Sequence, residues 1–133
     1  MAAISNEIFI INKLEHHEGF IKAELLVNKH SEILKGHFPG QPVVPGACML
    51  QLIKDILERA LDASLLLKKA DHLKFINMIV PGDNQVVVLD VSYKTGESIS
   101  VVAKLLIGEV VCFKFQGSFE LLPQASRLWY ANA

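Results

Sequence analysis

His37 sits in a segment that restrains it on both sides. Residues 36 to 51 read GHFPGQPVVPGACMLQ, with three glycines and three prolines ahead of an apolar run that ends on Gln51. Prolines fix several backbone angles of such a loop. That rigidity suits a catalytic base, whose geometry must be set before a substrate arrives. Imidazole titrates near neutrality and accepts a proton without costly tuning. On the residues alone there is a simpler role, a ring that bonds a carbonyl and pins the loop. Pro45-Gly46 is the second feature. Gly46 stands at the predicted start of a helix, where unpaired N–H groups and the helix dipole favour developing negative charge. Without a side chain it lets a ligand approach the backbone closely, so a carbonyl oxygen gaining negative charge would be stabilised there. An ordinary capping glycine is the alternative.

Other chemistry-bearing residues are less organised. Cys48 falls in the first helical turn, where the dipole lowers a thiol pKa, but no His or Asp adjoins it and a small buried cysteine is the simpler reading. The two cysteines, Cys48 and Cys112, form neither a disulfide framework nor metal-ligand spacing. His16 and His17 fall in a predicted turn, and His30 and His72 are isolated. With no pair at i,i+4 on a helix, no metal site is expected, and no cofactor.

The elements that must position these residues follow from periodicity. EIFIINKL (7–14) and 20–27 predict strands separated by a turn at EHHEG. The prolines end at Pro45, so a helix is predicted from Gly46. It places Met49, Leu50, Ile53, Ile56, Leu57, Ala60 and Leu61 on one face and Gln51, Lys54, Asp55, Glu58 and Asp62 on the other. ASLLLKKA (63–70) reads either as a prolongation of that helix or as a short second one. The period then changes to two, which predicts strands at 71–80, 85–94, 98–107 and 110–121 joined by short turns as an antiparallel meander. Along the last strand Val111, Phe113, Phe115 and Phe119 alternate with Lys114, Gln116, Ser118 and Glu120. The fold class is α+β, and a helix so apolar must lie against the sheet, which can satisfy it by curling around it.

The bulk numbers narrow the partners. The 133 residues suit a single domain (1–133), with an irregular tail from about residue 123. Half the residues, 51%, are hydrophobic and 20% charged, which excludes intrinsic disorder. With a net charge of −1 and scattered cations there is no basic stripe for nucleic acid. The high apolar fraction points to surface covered by a second copy, or else to a rich core alone. The N-terminus does not read as a signal peptide, and the longest uncharged run is too short to span a bilayer. No membrane insertion and a cytoplasmic location are expected.

His37-Phe38-Pro39-Gly40-Gln41-Pro42-Val43-Val44-Pro45-Gly46 resembles the HFPGxPxxPG signature of the 3-hydroxyacyl-[acyl-carrier-protein] dehydratases, which have the hotdog fold. Lys74-Phe75 and Val80-Pro81-Gly82-Asp83 resemble that family's strand and turn after the central helix. The likeness in pattern runs from about His30 to Gly117. It implies an antiparallel sheet of five to six strands wrapped around one long helix. It also implies syn elimination of water from a 3-hydroxyacyl thioester delivered by acyl carrier protein. His37 then removes the C2 proton, and the Gly46 N–H polarises the carbonyl. Histidine and acid belong to different subunits of a dimer, and a tunnel along the interface holds the acyl chain. Phe38, Pro39, Val44, Pro45, Ala47 and Leu50 are the expected substrate contacts. The assembly is expected to be a homodimer or trimer of dimers, or a hetero-oligomer with a sister hotdog chain.

One position departs from the family. The acid stands five residues after the helix-start glycine, and here that residue is Gln51. A carboxamide can hydrogen-bond the hydroxyl but is no carboxylic acid, and losing general acid help costs roughly two to four orders of magnitude. The family commonly carries a glutamine four residues after its glutamate, whereas here Gln51 is followed by Asp55. Acid and amide look exchanged along one face. Asp55 lies one turn farther, about 6 Å by helix geometry, and would reach the site through water or with altered substrate placement. Its other role is to pair with Lys54 or Arg59, or to face solvent. Besides a dehydratase with a modified acid, two functions stay open: a hotdog thioesterase using Gln51 and Asp55 to position water, and a non-catalytic or half-site subunit whose partner supplies the acid.

Overall fold

The computed structural model describes residues 8–28, 46–79 and 86–122, and among these the chain forms six strands and one helix. The helix, α1, spans Gly46–Leu61 and buries Met49, Leu52, Ile53, Ile56 and Leu57. Each such side chain stabilises the fold by roughly 1.5–3 kcal/mol when taken out of water. Leu50, Ala60 and Leu61, expected on the buried face, are partly covered at its margins. Leu52, which the periodicity did not single out, is completely buried, because the sheet covers the helix over a wider arc than one stripe.

Six antiparallel strands surround that face: β1 (Phe9–His17), β2 (Phe20–Val27), β3 (Leu65–Phe75), β4 (Val86–Lys94), β5 (Ile99–Ile107) and β6 (Val110–Leu121). Their order in the sheet is β1-β2-β4-β5-β6-β3. Strands β4, β5 and β6 form the expected meander. The four-strand version of that meander is corrected, since β3 pairs with β6 and β4 pairs with β2. The helix connection carries the chain from β2 across the concave face to the far edge, so that both halves of the sheet close over α1. Phe113, Phe115 and Phe119 of β6 point inward and are buried, while Lys114, Gln116 and Glu120 point out.

Two boundaries move for physical reasons. The segment 63–70 neither prolongs α1 nor makes a second helix, because from Leu65 it is the first half of β3, paired with β6. A helical alternative would leave the β6 main chain unpaired there. Asp62 takes a φ of 50° just past the helix, and the Ala63 N–H donates to the Glu58 carbonyl at 3.1 Å, a Schellman closure. The Glu58 carboxylate Oε2 then accepts the Leu65 N–H at 2.8 Å, which sets the direction in which β3 leaves. At the other end His16 and His17 lie within β1 rather than in a turn, opposite Ile21 and Phe20. Nε2 of His16 meets the Tyr93 hydroxyl at 2.6 Å.

Strand β3 bends as it runs. Its register shifts between Leu67 and Lys69 and again between Ala70 and His72, opposite Gly117 of β6. A Cβ on residue 117 would collide with the Lys69 carbonyl and the Phe115 ring, so the close approach of the two main chains requires glycine there. Glu58→Ala is expected to lower stability by about 1–2 kcal/mol through loss of the charged acceptor for Leu65, measured by urea denaturation with m unchanged.

Candidate active site

Strand β3 ends where α1 begins, and the two ends meet side to side. The Phe75 ring stacks on Phe113 with centroids 5.0 Å apart and planes at 28°. Its edge lies over the first helical residue, so that a Cβ on residue 46 would sit 2.5 Å from Phe75 Cζ. The identity of Gly46 therefore has a packing cause as well as any ligand cause. Beyond Phe75 the Ile76 and Asn77 N–H groups both donate to the Cys112 carbonyl, at 2.8 and 3.2 Å. The Asn77 side-chain Nδ2 donates to the Val111 carbonyl at 2.8 Å. These bonds hold the end of β3 in place beside a cleft of about 260 Å³ lined by Gly46, Met49, Phe75, Ile76, Asn77 and Met78. The first turn of α1 carries no acidic residue, so no acidic side chain in that turn offsets the partial positive charge of the helix start.

One turn on, Gln51 is exposed and Asp55 half-buried. Gln51 Nε2 donates to Asp55 Oδ1 at 2.8 Å. The contact uses one amide hydrogen and leaves the other, with the amide oxygen, for another partner. Acid and amide, read from the sequence as exchanged along one face, are thus brought into direct contact. Of the expected substrate contacts on the helix, Ala47 is exposed and Leu50 half-buried. Neither lines the cleft, whose helical wall is Gly46 and Met49. His37, Phe38, Pro39, Val44 and Pro45 lie outside the described residues, as do His30 and the turn at 81–84.

The cleft residues that sequence reasoning missed are Met49, Ile76, Asn77 and Met78. Met49 is buried as its place on the apolar face predicts and also lines the cleft, and nothing in residues 76–78 separates a clamped strand end from strand continuation. Burial pushes the Cys48 thiol above its ordinary pKa, the opposite of what an activated nucleophile needs. Among the described residues no group of three or more His, Cys, Asp or Glu gathers as a metal site. No helix there is long and apolar enough to cross a membrane.

A six-stranded antiparallel sheet in the order β1-β2-β4-β5-β6-β3 wrapped on one helix is the hotdog fold. The chain belongs to the ApeI-like dehydratase family, whose model, described as ApeI dehydratase, matches residues 13–106. Two curated relatives are similar in sequence, both 3-hydroxyacyl-[acyl-carrier-protein] dehydratases of the FabZ type. That of Anaplasma phagocytophilum is 31% identical over 91 residues, covering 61% of this chain and 63% of the relative. That of Clostridium acetobutylicum is 30% identical over 64 residues, covering 43% of this chain and 45% of the relative. The chain thus spans about half to three-fifths of the relatives it matches. Among solved structures, a chain of the dehydratase heterocomplex ApeI:P from Xenorhabdus doucetiae shares the fold. It has a TM-score of 0.70 at 16% identity, with 84% of this chain and 96% of that one covered.

Gly46→Ala is expected to leave the protein folded, with a thermal midpoint within about 4 °C of the parent. The new methyl group should push the Phe75 ring off Phe113, seen as shifted Phe75 and Phe113 ring resonances. Adding Phe75→Ala removes the conflict and returns Phe113 toward the resonance it has in Phe75→Ala alone.

Proposed function

We propose that this chain eliminates water from 3-hydroxyacyl thioesters carried on an acyl carrier protein. The observation that carries the reading is the cleft at the helix start, where a glycine N-terminus faces an apolar wall in a chain of the ApeI-like dehydratase family. His37 takes the C2 proton. The Gly46 N–H, reinforced by the helix dipole, donates to the thioester oxygen as it gains charge. The C3–O bond breaks, C2 and C3 become doubly bonded, and the hydroxyl must receive a proton. Gln51 holds the leaving oxygen with its remaining amide hydrogen. Asp55, bound to Gln51, delivers the proton in its acid form through an intervening water. The 2.8 Å contact supports this division of labour, since it keeps a proton carrier beside the amide.

The site is completed by a second copy in this reading. Among the described residues strand β3 is an edge of the sheet, and residues 71–78 are exposed without a break. Phe75 is 53% and Met78 75% exposed, with Leu73 and Ile76 beside them. Such an unpaired apolar edge invites strand pairing. Edge pairing of two copies covers it and places one subunit's helix face toward the other, in a cytoplasmic homodimer. A second reading is a half-site subunit that borrows its acid from a sister chain, and it is favoured by the fold relative being a heterocomplex.

Hydration of a short 2-enoyl pantetheine thioester by the purified chain tests the reaction in reverse. His37→Ala and Asp55→Asn are each expected to lower kcat/KM by roughly a hundredfold or more, and Gln51→Glu to keep or raise it. Activity that survives Asp55→Asn removes that residue from the mechanism, and activity that appears only with a co-purified sister chain favours the second reading. Met78→Lys is expected to shift the dimer toward monomer in analytical ultracentrifugation.

A further inference from the structure

The solvent face of the sheet carries one unbroken row of charge. Glu15 lies opposite Lys22, Lys22 opposite Asp90, and Asp90 opposite Lys104. Over those four strands the signs alternate and each charge has an opposite neighbour. The row then continues with Lys114 opposite Lys104 and Lys74 opposite Lys114. Three exposed lysines thus stand side by side on β5, β6 and β3. Like charges directly across a pair of strands destabilise a sheet. Among the described residues no carboxylate lies within ion-pair distance of any of the three. The nearby Asp71 is taken by Lys69 at 3.2 Å. Around them His72, Val102 and Gln116 complete the floor of a shallow depression of about 600 Å³.

We propose that the Lys104–Lys114–Lys74 row is the docking surface for an acidic carrier domain, which delivers the acyl thioester to the cleft at Gly46. This rests on the carrier-bound substrate of the reading above and assigns the surface that receives it. Charge complementarity selects the partner. The row is three cations long and is closed at its inner end by Asp90, which matches a few carboxylates on a small protein face. A nucleic acid, whose phosphates repeat without end, would meet Asp90 and Glu15 next. Position supports the same choice. Lys74 closes the row at the sheet edge and adjoins Phe75, whose ring lies over Gly46 from the opposite face of the same strand. A carrier seated on the lysines therefore stands at the rim of the cleft, with a flexible arm left to reach inside. Edge pairing of β3 with a second copy uses main-chain groups and leaves this outer face open.

The test separates docking from chemistry. Lys114→Glu places an acid between two lysines, so the thermal midpoint should rise by roughly 1–4 °C. Its affinity for an acyl carrier protein, read by calorimetry, should fall roughly tenfold or more. The triple variant Lys74→Glu/Lys104→Glu/Lys114→Glu should abolish binding, and raised salt should weaken the parent complex. Hydration of the low-molecular-weight pantetheine thioester should be unchanged in both variants. Carrier binding by the parent that persists in the triple variant overturns the proposal. So does a parent that binds anionic vesicles or single-stranded DNA through these lysines and no acyl carrier protein. A parent that binds the carrier through the lysines yet hydrates no thioester keeps the docking surface and overturns the dehydratase reading alone.

Discussion

Burial of α1 is the constraint from which the remainder follows. Met49, Leu52, Ile53, Ile56 and Leu57 occupy more than one narrow stripe, so no flat sheet lying on a single side can cover them. The chain meets the demand by splitting its strands around the helix. Strands β1, β2 and β4 lie on one side of the order and β5, β6 and β3 on the other. Among the described residues, α1 is the element that stands between β2 and β3 in the chain. Hydrophobic burial thus decides the strand order, because a simple meander of the last four strands would leave part of the helix wet.

The candidate site is a by-product of that order. Because β3 leaves the C-terminal end of α1 and runs antiparallel to β6, its own end returns beside the helix start, where Phe75 lies over Gly46. A glycine there admits the ring, so packing alone asks for that residue, and the donor role proposed for its N–H asks for the same one. The bonds from Ile76 and Asn77 to Cys112 keep the strand end from fraying and hold the apolar wall in place. The Gln51–Asp55 contact lies farther along α1, outside the buried face. A polar pair is inexpensive in such a place.

The outer face obeys a different rule from the inner one. Inside, volume and apolar area decide, and β6 contributes three buried phenylalanines. Outside, little constrains the choice of residue except cross-strand charge, and that is satisfied on four strands and not on the last two. A departure confined to the half of the sheet that borders the cleft is informative, since relieving it would take a single surface substitution with no packing consequence.

Much of this was readable from residue order alone. The prolines that end at Pro45 and the apolar period after it place the start of α1 at Gly46, and strict alternation from Phe113 to Phe119 defines the two faces of β6. Such signals are local, set by backbone geometry and by the period of side chains, and need no knowledge of neighbours. The motif from His37 to Gly46 likewise identifies the family on its own. What residue order left open were the matters settled by distant partners. Residues 63–70 carry a pattern that serves helix or strand, and pairing with β6 decided for strand. Phe75 and Met78 read as ordinary strand residues until the fold carried them to the helix start. Lys74, Lys104 and Lys114 are scattered in sequence, and only the register of three strands makes them a row.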